Sequence, residues 1–291
     1  MSALPLISAN PDVVNRMALG VLRFVDAATG QSVTDGLSVI ARVRNKSISA
    51  IPSPRGVHVF HQLPGLSTVS LWDGEAKLNP EPLPYEYSIE VRDTSRRFFS
   101  TVFKTGFFAW SDAANWSVAT PVCSNVGSPV KEVPLFSLPW RSQRADCALV
   151  RGTLWHRSAA KPAAWALLRV YRAADDPATA EPLVEGVTDA DGEFMLMFPW
   201  PKSDPSVLNG PKGLHWTMRF KAWYDLPDSQ VPENELPDGE QRLPSLCSIL
   251  EQQAATLLAE FGTDVELPPQ EMTPDQTLLL RTTGKNVLYL K

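Results

Sequence analysis

Two stretches of the chain repeat one pattern of apolar and polar positions. The first, A-L-G-V-L-R-F-V-D-A-A-T-G-Q-S-V-T-D-G-L-S-V-I-A-R-V, covers residues 18–43; the second, A-L-V-R-G-T-L-W-H-R-S-A-A-K-P-A-A-W-A-L-L-R-V-Y, covers 148–171. In both, an alternating apolar strand meets a short polar turn and a second apolar strand follows. Each copy continues into a third strand, S-P-R-G-V-H-V-F (53–60) and T-D-A-D-G-E-F-M-L-M-F (188–198). Each then reaches a fourth, Y-E-Y-S-I-E-V-R (85–92) and L-H-W-T-M-R-F-K-A-W-Y (214–224). The pattern predicts a mainly β protein of two tandem Greek-key β-sandwich domains with one C-terminal helix.

The same pattern sets expected boundaries. Residues 1–17 read as a proline-punctuated N-terminal arm and 18–140 as the first module, closing with V-P-L-F-S-L-P-W-R (133–141). The second module runs over 145–291. Within it, Asp191-Gly192 between apolar runs predicts a tight turn, because glycine reaches positive φ at little cost. Residues 199–213 form a proline-rich loop and 225–244 an acidic, proline-rich excursion without apolar periodicity. Leu246, Ile249, Leu250, Leu257, Leu258 and Phe261 recur at helical spacing after Ser245, a fitting N-cap, so a helix is expected over 246–261. Two short strands around Gly284 (278–290) complete the module.

Composition narrows the function classes. A formal charge of −5 opposes the phosphate-neutralising surface of a nucleic-acid binder. The 26 prolines against 16 glycines fit many short strands with rigid connections. The three cysteines, Cys123, Cys147 and Cys247, are too few and odd in number for a disulfide framework; a Cys123–Cys147 bridge across the domain junction is a minor alternative. The N-terminus lacks the basic and long apolar regions of a secretory signal, no stretch is long enough to span a bilayer, and the expectation is folding in the cytoplasm.

Reactive patterns are sparse. His58 and His61 stand three apart on a strand, where odd separations face opposite ways, so they do not form a metal pair. His156 and His215 belong to no H-E-x-x-H or cysteine pattern. No nucleophile elbow, phosphate loop or dinucleotide fingerprint occurs. Asp189, Asp191 and Glu193 read as turn chemistry rather than calcium ligation. No catalytic residue, metal ligand or cofactor is therefore assigned. The functional signal lies in the nine tryptophans. Trp155, Trp165 and Trp223 fall in strands and read as core; Trp72, Trp110, Trp116 and Trp200 fall in loops, where they serve a protein interface or domain packing, with sugar stacking a third use.

The segment L-V-E-G-V-T-D-A-D-G-E-F-M-L (183–196) resembles the carboxypeptidase regulatory-like, transthyretin-type sandwich, in which a T-D-x-x-G-x-F turn joins two strands. The segments L-R-F-V-D-A-A-T-G (22–30), V-F-H-Q-L-P-G-L (59–66), V-P-L-F-S-L-P (133–139) and P-A-A-W-A-L-L-R-V (162–170), with Leu246-Cys247 and R-T-T (281–283), are similar to a two-module family. That family is associated with extracellular contractile injection systems, which are phage-tail-like particles. The resemblance implies a non-enzymatic structural or adaptor subunit of the baseplate, collar or fibre attachment, assembled in the cytoplasm and docked to other subunits of the particle. Phe107, Phe108, Trp110, Trp116 and Trp200 are the expected partner contacts. A carbohydrate- or cell-surface-binding module is the alternative, and an enzyme with an unrecognised site a third.

Overall fold

A computed structural model describes residues 19–43, 45–61, 63, 82–108, 119–123, 130–200, 215–225, 243–274 and 276–291. The first part of the chain forms β1 (Gly20–Asp26), β2 (Leu37–Val43), β3 (Lys46–Ser49), β4 (Ile51–Ser53), β5 (Val57–Phe60), β6 (Pro82–Asp93), β7 (Thr101–Phe108), β8 (Ala119–Pro121) and β9 (Val130–Leu135). The second forms β10 (Cys147–His156), β11 (Lys161–Pro162), β12 (Leu167–Arg172), β13 (Val184–Val187), β14 (Glu193–Pro199) and β15 (Trp216–Trp223). After α1 (Leu246–Leu250) come β16 (Ala254–Ala255), β17 (Leu257–Leu258), β18 (Gln270–Met272), β19 (Thr277–Leu280) and β20 (Leu288–Leu290). The protein is mainly β, and its sheets pack as β-sandwiches.

Strands β4-β5-β1-β9-β8 make one sheet and β3-β2-β6-β7 the sheet opposite. Alternation places Leu22, Phe24, Phe60, Tyr87, Ile89, Phe103 and Val133 in the core between them, all buried. In the later half, β11-β10-β20-β17 with β14 and β19 on β10 form one sheet, and β13-β12-β15-β16 with β18 on β15 the other. Val150, Leu154, Leu168, Val170, Phe194, Leu196, Phe198, Met218 and Phe220 fill the space between. The turn at Asp191-Gly192 forms as the sequence predicts, with Gly192 at φ 77°. It joins strands of opposite sheets, since β13 pairs with β12 and β14 with β10.

The helix is much shorter than its periodicity predicts. Ser245 caps it, its hydroxyl accepting from the Ser248 N–H at 3.3 Å, but the helix ends at Leu250. Beyond it, Ala254–Ala255 pair with β15 and Leu257–Leu258 with β20. Open ladder positions on two sheets outcompete a lone helix of modest length, whose nucleation is costly and whose stability comes from tertiary packing. The apolar residues spaced for a helix are instead taken up singly: Leu246 and Ile249 enter one core, Leu257 the other.

The cores meet. Leu167 and Val187 of the later sandwich, together with Leu246 and Ile249 of α1, belong to the same buried cluster as Phe99, Phe136 and Leu138. Trp165 packs edge-on against Phe99 with ring centres 5.7 Å apart. Residues 243–245 also run along β7, where the Val102 N–H donates to the Pro244 carbonyl at 3.0 Å and Val102 bridges Ser245 in parallel. The segment thereby occupies one sheet edge, the kind of unpaired rim that natural sheets shield.

Candidate interaction surfaces

His58 points into the first core, edge-on to Phe24, with both ring nitrogens buried and unbonded, and burial holds its pKa below the usual value. His156 Nδ1 accepts from the Ala159 N–H at 3.1 Å; its pKa is lowered by burial and by nearby Lys161. His215 is exposed just before β15. Asp189 Oδ1 accepts from the backbone N–H groups of Asp191 (2.9 Å) and Glu193 (2.8 Å), which is turn chemistry. Burial raises its pKa against the effect of those bonds. Among the described residues, no group of three or more His, Cys, Asp or Glu is placed to hold a metal ion. Among them, too, no helix is long and apolar enough to cross a membrane.

The expected partner contacts separate. Phe107 is not a surface residue: it is 4% exposed, its ring packed against Phe60 and Tyr87 in the first core. The strand β7 continues through the aromatic run, so alternation turns Phe107 inward, which a run without clear period did not reveal. Phe108 ends β7, its backbone opposite Pro82, and its side chain lies outside the described residues. So do Trp72, Trp110, Trp116, the arm 1–17, and most of the segments 199–213 and 225–244. Trp200 is half-buried, stacked on Trp216 with ring centres 4.8 Å apart at the mouth of the second core.

The large apolar side chains most open to solvent among the described residues include Ile51, Trp140 and Leu279. Trp140 is 60% exposed, in a turn where the Arg141 N–H donates to the Leu138 carbonyl at 3.0 Å. The next residue, Arg141, folds back to the turn after β1, where its guanidinium grips Asp26 through both terminal nitrogens at 2.9 and 2.7 Å. Asp26 also accepts from the Ala28 N–H and the Thr29 hydroxyl, and Arg141 donates to Ser137 Oγ at 2.8 Å and lies over the Phe98 ring at 4.6 Å. Ala28, on the same turn, packs with Cys147, Leu149, Met195 and Met197 of the later sandwich. The turn after β1 thus meets the linker through one buried ion pair and the second sandwich through Ala28, with Trp140 directly before Arg141. The sequence signal, an Asp at a strand end and an Arg after Pro-Trp, carries no local periodicity that would connect the two.

The cysteines pair differently from the sequence alternative. Cys123 bonds Cys247, with Cα atoms 5.4 Å apart, whereas Cys147 is free and buried. Folding brings α1 to the end of β8; nothing in the spacing foretold it.

These sheets define a mainly β protein of the β-sandwich class. No family model matches the chain, and no curated protein matches it. Two solved structures show weak likeness. One, the Bacillus anthracis TIE protein, is 10% identical with a TM-score of 0.23, the match covering 94% of this chain and 34% of that one. This chain therefore spans about a third of that protein's length. The other, a DUF3823 family protein from Bacteroides ovatus, is 9% identical with a TM-score of 0.21, covering 71% of this chain and 91% of that one.

Proposed function

We propose that the chain is a non-enzymatic structural or adaptor subunit of a phage-tail-like contractile injection particle, acting by docking to other subunits in the baseplate, collar or fibre attachment. The finer family, a carboxypeptidase regulatory-like pair, belongs to the same proposal and rests on the turn and strand motifs. The observation that carries the docking role is Trp140: a large, exposed aromatic in a turn tied down by Arg141 and Asp26. Rigid exposed tryptophans make strong interface anchors, because little conformational entropy is lost when a partner covers them. Phe108, Trp110, Trp116 and Trp200 remain proposed contacts, and Phe107 is withdrawn. Assembly in the cytoplasm followed by release within a particle is the proposed route.

A second reading, a carbohydrate-binding module, draws on the half-buried Trp200–Trp216 stack. One experiment separates them. The tagged chain is expressed with its neighbouring genes, particles are sedimented, and the pellet is probed for the chain and for its Trp140→Ala variant. Wild type in the pellet and variant depleted about tenfold, as expected for loss of an anchor, supports docking. A chain that stays in the supernatant of a particle-forming lysate refutes it, and quenching of its fluorescence by glycans would then favour the second reading.

A further inference from the structure

We infer that the Cys123–Cys247 bond is a lock closed after folding, and that the working form of this chain is the oxidised one, outside a reducing cytosol. This does not depend on the particle reading. The bond joins the end of β8 to the first turn of α1 across a sequence separation of 124. The segment carrying Cys247 is already seated without it. Val102 pairs with Pro244 and Ser245, Ser245 caps the helix, and Leu246 and Ile249 are buried in the first core. The other end of α1 is held to the second sandwich. There the Gln252 side chain accepts from the Leu167 N–H at 3.2 Å and donates to the Trp165 carbonyl at 2.9 Å. On the other side, β8 pairs with β9 and the Val122 N–H donates to the Glu132 carbonyl at 2.9 Å, which seats Cys123, so the two sulfurs are brought together by contacts that need no bond, and the bond then prevents the junction from opening.

Pairing is also directed. Cys147 is buried among Ala28, Leu149, Met195 and Met197, and burial raises its thiol pKa, whereas Cys123 and Cys247 are only partly buried. The oxidant required is a small disulfide such as oxidised glutathione, or a disulfide-exchange protein. One cysteine thiolate attacks its S–S bond, forming a mixed disulfide and releasing one reagent thiol. The second cysteine thiolate then attacks the protein sulfur and releases the other reagent thiol. Two protein thiols become one disulfide while one reagent disulfide becomes two thiols, so electrons and protons balance. Cytosolic thiol pools keep such pairs reduced, and oxidising surroundings close them.

The test uses the full chain, purified under reductant and then treated natively with oxidised glutathione. Alkylation after denaturation is expected to modify all three cysteines before treatment and Cys147 alone afterwards, with a Cys123–Cys247 peptide found by mass spectrometry. Amide exchange at Val102 and over 245–250 is expected to be native-like in the reduced chain and about tenfold slower once oxidised, as a lock on local opening requires. A Cys123→Ser chain should match the reduced form and not respond. Three thiols surviving oxidation, linkage through Cys147, exchange unaltered by oxidation, or a reduced junction that is unprotected would each overturn the inference.

Discussion

Replacing Arg141 by methionine keeps the apolar stem over Phe98 and deletes the charge. Asp26, 4% exposed, then retains the Ala28 N–H and the Thr29 hydroxyl but loses the guanidinium bonded to it. Breaking a buried ion pair from one side costs about 3–5 kcal/mol, because a charge is left behind in a poorly solvating place. The two surviving hydrogen bonds put this case near the lower end, about 3 kcal/mol. Asp26→Asn is gentler: the amide oxygen still accepts from Ala28, and Arg141 keeps Ser137 and the Phe98 face, for a loss of about 2 kcal/mol. With both changed, no unpaired charge remains, and the double variant should lose about 3 kcal/mol rather than the sum, a coupling of about 2 kcal/mol. Equilibrium urea unfolding followed by tryptophan fluorescence and circular dichroism measures all four corners of the cycle. Additive losses, or an Arg141→Met cost under about 1 kcal/mol, would place the pair among ordinary surface bridges and remove the tie assigned to the Trp140 turn.

Thr188 is fully buried, its hydroxyl donating to the Ala163 carbonyl at 2.6 Å and accepting from the Ala166 N–H at 2.8 Å. Thr188→Val keeps the shape and strands both backbone groups, so a loss of about 2–4 kcal/mol is expected in the same urea assay, and a loss near zero would mean that the loop repairs itself. His58 gives an acid limb. Its folded pKa lies below the usual 6.5, so between those two values the unfolded chain binds the extra proton and stability falls as pH drops. The slope is up to about 1.4 kcal/mol per pH unit. His58→Leu should flatten that limb by one proton's worth, leaving the same-signed effect of His156; an unchanged slope in pH-resolved urea curves would contradict the burial argument.

What the sequence disclosed follows from the range of each interaction. The alternation of Leu37, Val39 and Ala41, the Asp191-Gly192 turn and the cap at Ser245 are local, and each appears where the pattern places it. The helix over 246–261 failed for the converse reason: a local period was overridden by ladder positions on β15 and β20, contributed from distant sequence. The Cys123–Cys247 bond and the grip of Arg141 on Asp26 join residues far apart in the chain, and no spacing rule connects such partners. Phe107 was missed because its run of aromatics concealed a plain strand alternation.

The two halves share more than a sequence echo. In the first sheet β1 lies antiparallel to β5 and parallel to β9; in the corresponding sheet β10 lies antiparallel to β14 and parallel to both β19 and β20. Each leading strand carries a glycine at a crowded point. A Cβ on Gly20 would come within 2.7 Å of the Phe107 ring, and one on Gly152 within 2.7 Å of the Phe194 ring. A duplication of sandwiches doubles the number of raw sheet edges, and exposed edges invite unwanted pairing. The later half answers this for the earlier one: residues 243–245 lie along β7, α1 fills the joint, and the cysteine bond closes it. A surface consumed in joining the halves is closed to other proteins. On the proposed docking role, contact must use what the joint leaves free, and Trp140, 60% exposed in the linker, meets that condition together with Ile51 and Leu279.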